Sequence, residues 1–266
     1  MTSFEALADR VGRLMREVAA EIIVPRFRSL KTGDVMEKSP GEVVTIVDHE
    51  AERRIEPVLL ALRPGSRVVG EEAVAADATL LHKLDVGEVW LVDPLDGTAN
   101  FVAGTPCFAV MVTWLRDGVA YGAWVLDPLR DELIVAERGA GAFANGVRLR
   151  ADAAPSPLQG IVKTRFLPAD LRQRLLANAH RLGEPMPGTG CAGADYPELL
   201  RATPRFALYW RTLPWDHAPG VLLLTEAGGH AARIDGTPYL AADPRFGLLA
   251  ARSRADWDAA RELLFP

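Results

Sequence analysis

Residues 90–101 read WLVDPLDGTANF, and this stretch decides the fold and its chemistry. A hydrophobic strand leads directly into two carboxylates three residues apart, Asp93 and Asp96, and then into Gly97 and Thr98, which can open a helix. Side chains at such a strand end lie at the rim of a sheet, where ligands bind. Two Asp side chains can share a hard divalent cation, and the following backbone N–H groups can face a phosphate. The stretch therefore predicts a metal and phosphate site.

The composition of the 266-residue chain is that of a globular protein with enough apolar residues for a core. The net charge of −5 argues against general electrostatic attraction to nucleic acid or to anionic membranes. No apolar run reaches membrane-spanning length, and the amino terminus lacks the apolar segment of a secretory signal. We therefore expect a cytoplasmic protein that binds neither nucleic acid nor membrane.

The sequence contains two cysteines, Cys107 and Cys191. Their number and spacing match neither a paired metal site nor a disulfide framework. We therefore expect both thiols to be small buried residues of a protein in a reducing compartment.

Composition divides the chain into two predicted halves. Residues 151–160 are rich in Pro and Ala, which is typical of a boundary between domains. We predict an N-terminal α+β half over residues 1–150 that carries most of the acidic clusters, and a C-terminal α/β half over residues 151–266 that carries Asp216. Together the halves predict an α/β (α+β) protein.

Local patterns place the elements within each half. Apolar spacing predicts a helix over residues 4–30 that Pro25 interrupts, and Asp48 is the expected N-cap of the next helix. Alternation and turn residues predict a hairpin over 34–47 and strands over 67–70, 108–114, 119–126 and 132–136. A Gly-rich loop with an Asn145-Gly146 hairpin signal is then expected over 139–150. In the second half we expect strands over 161–165, 206–210, 231–234 and 247–251, and helices over 169–182, 194–202, 215–227 and from 256.

Acidic residues cluster at the ends of four predicted elements. A single acidic residue in such a position is usually a cap or a solvated charge. Here Glu71 and Asp93 each follow an apolar strand, and Asp216 begins an apolar helix, so their element ends can converge around metals. The clusters are Glu42 with Asp48, Glu71 with Glu72, Asp93 with Asp96, and Asp216 with His217.

The order and spacing of these clusters resemble the motifs of the inositol monophosphatase family over nearly the whole chain. Members of that family are Mg²⁺-dependent, lithium-sensitive phosphatases and are commonly homodimers. The resemblance implies a layered α-β-α-β-α sandwich of the inositol monophosphatase/fructose-1,6-bisphosphatase type. The matching segments are Val44-Thr45-Ile46-Val47-Asp48, Gly70-Glu71-Glu72, residues 90–101, Trp215-Asp216-His217-Ala218 and Glu226-Ala227-Gly228-Gly229.

The resemblance implies a metal-binding role for five matched positions. Glu71, Asp93 and the backbone carbonyl of Leu95 would bind the first Mg²⁺. Asp93, Asp96 and Asp216 would bind the second. Glu71 could also reach a third, weaker ion, which gives two or three Mg²⁺ per site. These oxygen ligands are the type that Mg²⁺ prefers.

The resemblance also implies roles in catalysis. Gly97 and Thr98 would offer backbone N–H groups to the phosphate of the substrate. Thr98 and Asp48 would orient and deprotonate a water molecule, with Glu71 acting beside them. Elementary chemistry agrees with these roles. The neutral hydroxyl of Thr98 is a weak base by itself, and an acceptor such as Asp48 can take its proton. Two cations about 3.5–4 Å apart can bind the attacking and leaving oxygens of a phosphate monoester. We therefore expect hydrolysis of a small phosphate monoester.

Substrate contacts are implied at four further positions. Inositol-specific members use a Gly-Thr-Ala segment and a Glu seven residues before the Trp-Asp aspartate, where this chain has Gly190, Cys191, Ala192 and Tyr209. A phenol in place of that carboxylate argues against inositol 1-phosphate as the main substrate, and the neighbouring residues 210–211 could favour an aromatic or anionic leaving group. Alternatively, Tyr209 simply packs in the core.

Other functions stay open on this sequence. The family also hydrolyses fructose 1,6-bisphosphate, histidinol phosphate and 3′-phosphoadenosine 5′-phosphate, and some relatives act in transcription or RNA processing without a need for catalysis. The complete acidic set argues for retained chemistry. The spacing of Asp93 and Asp96 differs from the Asp-x-Asp of haloacid dehalogenase-type phosphatases, and the chain has neither an EF-hand loop nor a nucleophile elbow.

Overall fold

The computed structural model describes residues 4–151, 158–179, 186–201 and 204–266. These residues form five alternating layers of helix and sheet, which confirms the predicted α-β-α-β-α sandwich. The α-helices within the described residues are α1 Phe4–Val18, α2 Ile46–Leu62, α3 Glu71–Ala76, α4 Thr98–Val102, α5 Ala169–Ala179, α6 Ala192–Arg201, α7 Pro214–Glu226 and α8 Arg254–Leu264.

The strands of the described residues belong to one hairpin and two larger sheets. The hairpin joins β1 and β2, one mixed sheet runs in the order β3 to β9, and the other has the order β10-β11-β13-β12. The strands are β1 Val35–Ser39, β2 Glu42–Thr45, β3 Arg67–Gly70, β4 Glu88–Asp96, β5 Ala109–Arg116, β6 Val119–Asp127, β7 Glu132–Glu137, β8 Gly141–Ala144, β9 Val147–Arg148, β10 Gly160–Val162, β11 Phe206–Tyr209, β12 His230–Arg233 and β13 Leu248–Ala251.

The first helical layer covers one face of the larger sheet. Helix α1 ends at Val18 and continues as a π-turn over Ala19–Ile23 and a 3₁₀ turn over Val24–Arg26. The predicted interruption at Pro25 is therefore confirmed, because proline has no N–H for a helical hydrogen bond. Helices α1 and α2 pack on strands β4 and β6, and their apolar faces form one core with the sheet.

The start of α2 differs from the prediction. Thr45, not Asp48, is the N-cap: its side chain accepts a hydrogen bond from the backbone N–H of Val47. Asp48 lies three residues later and closes a capping box, because its Oδ2 accepts the backbone N–H of Thr45 at 2.8 Å. The prediction was wrong because an acidic residue serves equally well at either end of this motif.

Strand β4 contains an irregularity that positions both of its aspartates. Asp93 pairs with Met111 of β5, whereas Asp96 pairs with Ala109, so three steps along β4 match two steps along β5. Side chains alternate between the two faces of a strand, so residues three apart would normally point in opposite directions. The one extra residue of this bulge brings Asp93 and Asp96 to the same side of the sheet.

The remaining helices form the middle and outer layers. Helices α6 and α7 lie between the two sheets, and α8 packs on the outer face of the smaller sheet with α5 against it. The Gly-rich loop predicted over residues 139–150 instead contains strands β8 and β9. Its Asn145-Gly146 turn has positive φ at both residues, which suits a tight hairpin.

Parts of three predictions lie outside the described residues. These are most of the linker over 151–160 and the carboxyl ends of the helices expected to reach residues 182 and 202. The division into halves at residue 150 stays a prediction. Within the described residues, no helix combines the length and the apolar character needed to cross a lipid bilayer.

Candidate active site

Three carboxylates from three different elements converge at one edge of the larger sheet. The parallel register of β3 and β4 sets Gly70 opposite Val92, so that Glu71 leaves the sheet beside Asp93. Asp216 arrives from the first turn of α7. One oxygen atom from each of Glu71, Asp93 and Asp216 lies within 4.8 Å of the others. This all-oxygen set fits a hard divalent cation such as Mg²⁺.

The fourth predicted side-chain ligand, Asp96, lies next to this group but is oriented by other partners. Its Oδ2 accepts the backbone N–H of Gly193 at 2.6 Å and lies 3.0 Å from the Cys191 thiol. Asp96 is therefore anchored to the start of α6. The backbone carbonyl of Leu95 accepts a hydrogen bond from Thr98. Metal binding by Asp96 and by Leu95 stays a prediction.

Burial and mutual repulsion make the carboxylates of this site costly to ionise. Burial raises the pKa of Asp93 and of Asp216 well above the usual carboxyl range, and the charge of Glu71 raises both further. Burial also raises the pKa values of Glu71 and Asp96. A cation placed between these oxygens would remove the repulsion and favour the ionised form of each carboxylate.

A lysine from the hairpin, which sequence patterns did not predict, faces the same carboxylates. Lys38 Nζ lies 3.0 Å from Glu71 Oε1 and 3.0 Å from Glu72 Oε1. The two carboxylates raise the pKa of Lys38 against the opposing effect of its burial. The ammonium group therefore neutralises part of the acidic charge at the rim of the site.

A buried glutamate, also missed from the sequence, holds the loop that carries Glu71. Glu52 of α2 accepts the backbone N–H groups of Glu72 and Ala73, each at 2.9 Å. A Cβ atom on Gly70 would lie 2.2 Å from the Glu52 carboxyl, so only glycine leaves room for this contact. Burial raises the pKa of Glu52 to about 7. Glu52 therefore positions Glu71 through the backbone of α3.

Thr98 and Asp48, the predicted catalytic pair, are in hydrogen-bond contact. Thr98 Oγ1 lies 3.0 Å from Asp48 Oδ1 and 2.9 Å from the Leu95 carbonyl oxygen. Thr45 binds the other oxygen, Oδ2, through both its backbone N–H and its hydroxyl. Asp48 is thus fixed with one oxygen directed at Thr98. Burial raises the pKa of Asp48, which increases its affinity for a proton.

Gly97 turns the chain from β4 into α4 in a left-handed conformation with φ of 87°. A Cβ atom there would lie 3.0 Å from the Cys107 carbonyl oxygen and 3.1 Å from Cys191 Cβ. The first amides of a helix have no partner within the helix. Phosphate binding by the N–H groups of Gly97 and Thr98 stays a prediction.

A cavity of about 120 Å³ adjoins Asp96 and Asp216 and brings together most of the predicted substrate-contact residues. Tyr209 is only 2% exposed and packs its ring on Tyr196, so it serves the core as well as the cavity wall. The cavity is lined by Asp96, Lys163, Phe166, Gly190, Ala192, Tyr209, Trp210, Arg211, Asp216 and His217. Two of these side chains, Lys163 and Arg211, are cationic.

Both cations in this cavity are held by acidic partners. Lys163 Nζ lies 2.5 Å from Asp195 Oδ2 and 5.2 Å from the centre of the Tyr209 ring. Arg211 pairs with Glu42 of the hairpin and lies 4.0 Å above the Phe166 ring. Of the predicted cluster of Glu42 and Asp48, Glu42 therefore faces Arg211 across the cavity, whereas Asp48 faces Thr98.

Comparisons with known proteins show which proteins the chain resembles. Residues 6–263 match the profile described as the inositol monophosphatase family. The chain is 34% identical over 223 residues to an inositol-1-monophosphatase of Rhizobium meliloti, with 82% of each chain covered. It is also 34% identical over 235 residues to the Nus factor SuhB of Pseudomonas aeruginosa, again with 82% of each covered. The solved IMPase of Thermotoga maritima has a TM-score of 0.79 and 25% identity, covering 96% of this chain and 95% of that one.

The raised carboxyl pKa values predict a pH-dependent response to Mg²⁺. The folded protein without metal binds protons at Glu71, Asp93 and Asp216 that the unfolded chain releases above about pH 4. Its stability should therefore fall as the pH rises from that value toward the raised pKa values. Mg²⁺ competes with these protons, so we expect the increase in melting temperature on adding Mg²⁺ to be larger at about pH 8 than at about pH 5.5.

Thermal melts in EDTA and in MgCl₂ at both pH values measure this response. NaCl at matched ionic strength separates specific binding from screening. An equal Mg²⁺ shift at the two pH values, or no shift at either, would contradict the assignment of a cation site to these carboxylates.

The position of Glu52 predicts a second result. In Glu52→Gln the amide oxygen can accept only one of the two backbone N–H groups, and the amide NH₂ faces the other donor. At about pH 8 we expect the free energy of unfolding to fall by about 1–3 kcal/mol, with weaker Mg²⁺ binding. Glu56→Gln is the matched control, because Glu56 lies one turn further along α2 and is exposed. It should change stability by less than about 0.5 kcal/mol. Equal effects in urea unfolding would exclude the positioning role.

Proposed function

The chain belongs to the inositol monophosphatase family, and on that premise we propose that it is a Mg²⁺-dependent phosphomonoesterase acting on a small phosphorylated metabolite. Family membership makes it a phosphatase. The observation that carries the rest is the convergence of Glu71, Asp93 and Asp216 within 4.8 Å, beside the Asp48–Thr98 contact. A phosphate monoester dianion needs its charge neutralised and a water molecule activated, and the site offers groups for both.

The acidic group would hold the metal ions. Glu71, Asp93 and Asp216 would bind Mg²⁺, with Asp96 and the Leu95 carbonyl as further predicted ligands for two or three ions. When bound, Mg²⁺ neutralises phosphate charge and lowers the pKa of a water molecule. Lys38 lies at the same rim and adds a positive charge on the side of Glu71 and Glu72.

The chain's own residues define a route for the proton. Thr98 Oγ1 carries one hydrogen and contacts two acceptors, the Leu95 carbonyl and Asp48 Oδ1. When that hydrogen is directed to Asp48, the oxygen of Thr98 is free to accept a hydrogen bond from the attacking water. The water proton can then move to Thr98 while the Thr98 proton moves to Asp48. The raised pKa of Asp48 favours its role as the final acceptor.

The cavity beside Asp216 supports a role for its wall in binding the leaving group. The wall carries Lys163, which pairs with Asp195, and Arg211, which pairs with Glu42, together with the aromatic rings of Tyr209 and Phe166. Where inositol-specific relatives have an acidic residue, this chain has the buried Tyr209. We therefore propose that the substrate is an inositol-phosphate-like polyol phosphate or a sugar phosphate. This wall would favour an anionic or aromatic leaving group, and the alternatives are histidinol phosphate, fructose 1,6-bisphosphate and 3′-phosphoadenosine 5′-phosphate.

A regulatory role is the second candidate, because one relative at 34% identity is named a Nus factor. The convergence of Glu71, Asp93 and Asp216 argues that catalysis is retained. From the properties of the family we also propose that lithium inhibits the protein and that the protein forms a homodimer. From its composition we propose a cytoplasmic location.

Replacement of one carboxylate tests the proposal. We expect Asp216→Asn to fold but to lose at least about 10²-fold in Mg²⁺-dependent phosphate release, because an electrostatic contribution to the reaction is lost. Asp9→Asn, on the exposed face of α1, should retain wild-type turnover. The assay uses inositol 1-phosphate, fructose 1,6-bisphosphate, histidinol phosphate, a nucleotide 3′-phosphate and glycerol 2-phosphate.

The same assay separates the candidate functions. Mg²⁺-dependent turnover that is strongest on one ester supports the phosphatase and identifies its substrate class. Near-normal turnover in folded Asp216→Asn would contradict the metal assignment. No release from any ester by the wild-type protein would favour the regulatory role.

A further inference from the structure

We propose that Cys107 and Cys191 are a redox pair whose oxidation to an intramolecular disulfide lowers the activity of the neighbouring site. The sequence has only these two cysteines, and they lie far apart along it. Both were expected to be inert buried residues. Cys191 is buried and Cys107 is half-buried, and the fold brings the two cysteines together beside Gly97.

The contact between the two cysteine segments is held by surrounding groups. Asn100 Nδ2 donates to the carbonyl oxygens of Cys107 and Thr189, each at 2.9 Å, and so joins the two segments. A Cβ atom built on Gly97 would lie 3.0 Å from the carbonyl oxygen of Cys107 and 3.1 Å from Cys191 Cβ. The two cysteine segments therefore meet at one point beside the turn at Gly97.

The two thiols differ in access to solvent. Cys107 lines a surface groove of about 310 Å³ together with Pro106, Gly193 and Pro197. Cys191 is only 1% exposed. A small oxidant that enters the groove therefore reaches Cys107 first. Contact with Cys191 lowers the pKa of the Cys107 thiol to about 7, which favours the reactive thiolate.

A hydroperoxide is the oxidant that this arrangement fits. The Cys107 thiolate attacks one peroxide oxygen, the O–O bond breaks, and hydrogen peroxide yields a sulfenic acid at Cys107 and hydroxide. The Cys191 sulfur then attacks the sulfenic sulfur, the S–O bond breaks, and the hydroxide that leaves takes up the Cys191 proton as water. Two electrons pass from the two thiols to the peroxide, and a dithiol reductant reverses the change.

Oxidation would act on the site through Asp96. The Cys191 thiol and the Gly193 backbone N–H are the described hydrogen-bond donors to Asp96 Oδ2. A disulfide has no S–H, so Asp96 loses one donor while Cys191 moves toward Cys107. The same shift changes the packing beside Gly97, where a built Cβ atom would lie 3.1 Å from Cys191 Cβ. The predicted effect on activity rests on the proposed function, whereas disulfide formation does not.

The test compares wild type with Cys107→Ala, since Cys107 lies outside the proposed catalytic and binding residues. Both proteins are reduced, freed of reductant and exposed to hydrogen peroxide. Thiols are counted by alkylation, the disulfide is mapped by mass spectrometry of unreduced peptides, and phosphate release is measured with Mg²⁺. We expect oxidised wild type to have no free thiol, a Cys107–Cys191 linkage and at least about 10-fold lower turnover that dithiothreitol restores. Cys107→Ala should keep its turnover through the same treatment.

Two results would overturn the proposal. If both wild-type thiols stay alkylatable, or Cys107 ends as a sulfinic acid with Cys191 still free, the two residues are not a redox pair. If the linkage forms and turnover is unchanged, the coupling to Asp96 is wrong. Should the protein release phosphate from none of the esters, the peptide map still decides the pairing, and the Mg²⁺ melting shift before and after oxidation replaces turnover as the readout.

Discussion

The mutual repulsion of clustered, largely buried carboxylates is the constraint on which the rest of this structure depends. Glu71, Asp93 and Asp216 come from three elements, and each would be more stable apart. The fold nevertheless forces them together, through the bulge in β4 and the parallel pairing of β3 with β4. Carboxylates brought together in this way must either bind protons, as their raised pKa values indicate, or be compensated by a cation. Lys38 supplies part of that charge, and a divalent ion would supply the rest.

Residues at the start of helix α2 and one turn further along it position two parts of the candidate site. Thr45 caps this helix and binds one oxygen of Asp48, which leaves the other oxygen facing Thr98. One turn later, Glu52 binds the backbone at Glu72 and so positions the loop of Glu71. The candidate base and a candidate metal ligand are thus placed by the same helix. A change in how α2 packs would disturb both.

The sequence predicted contacts that depend on local patterns and missed those that depend on the fold. The apolar strand before Asp93 and the helix at Asp216 are visible as periodicity, so their convergence could be anticipated. Lys38 and Glu52 contact their acidic or backbone partners across 33 and 20 residues, and nothing in their neighbours marks them. Asp48 was predicted to be the N-cap of α2, but Thr45 occupies that position, because its side-chain oxygen can accept the same kind of backbone hydrogen bond. The meeting of the two cysteines likewise needs the folded chain.

The most direct test is a crystal structure of the protein grown with Mn²⁺ in place of Mg²⁺, recorded at a wavelength where manganese scatters anomalously. Mn²⁺ accepts the same oxygen ligands. The account predicts an anomalous peak within coordination distance of Glu71, Asp93 and Asp216. Any second peak should adjoin Asp96. Anomalous density absent from this group, with the three carboxylates still converged, would contradict the claim that a cation compensates their repulsion.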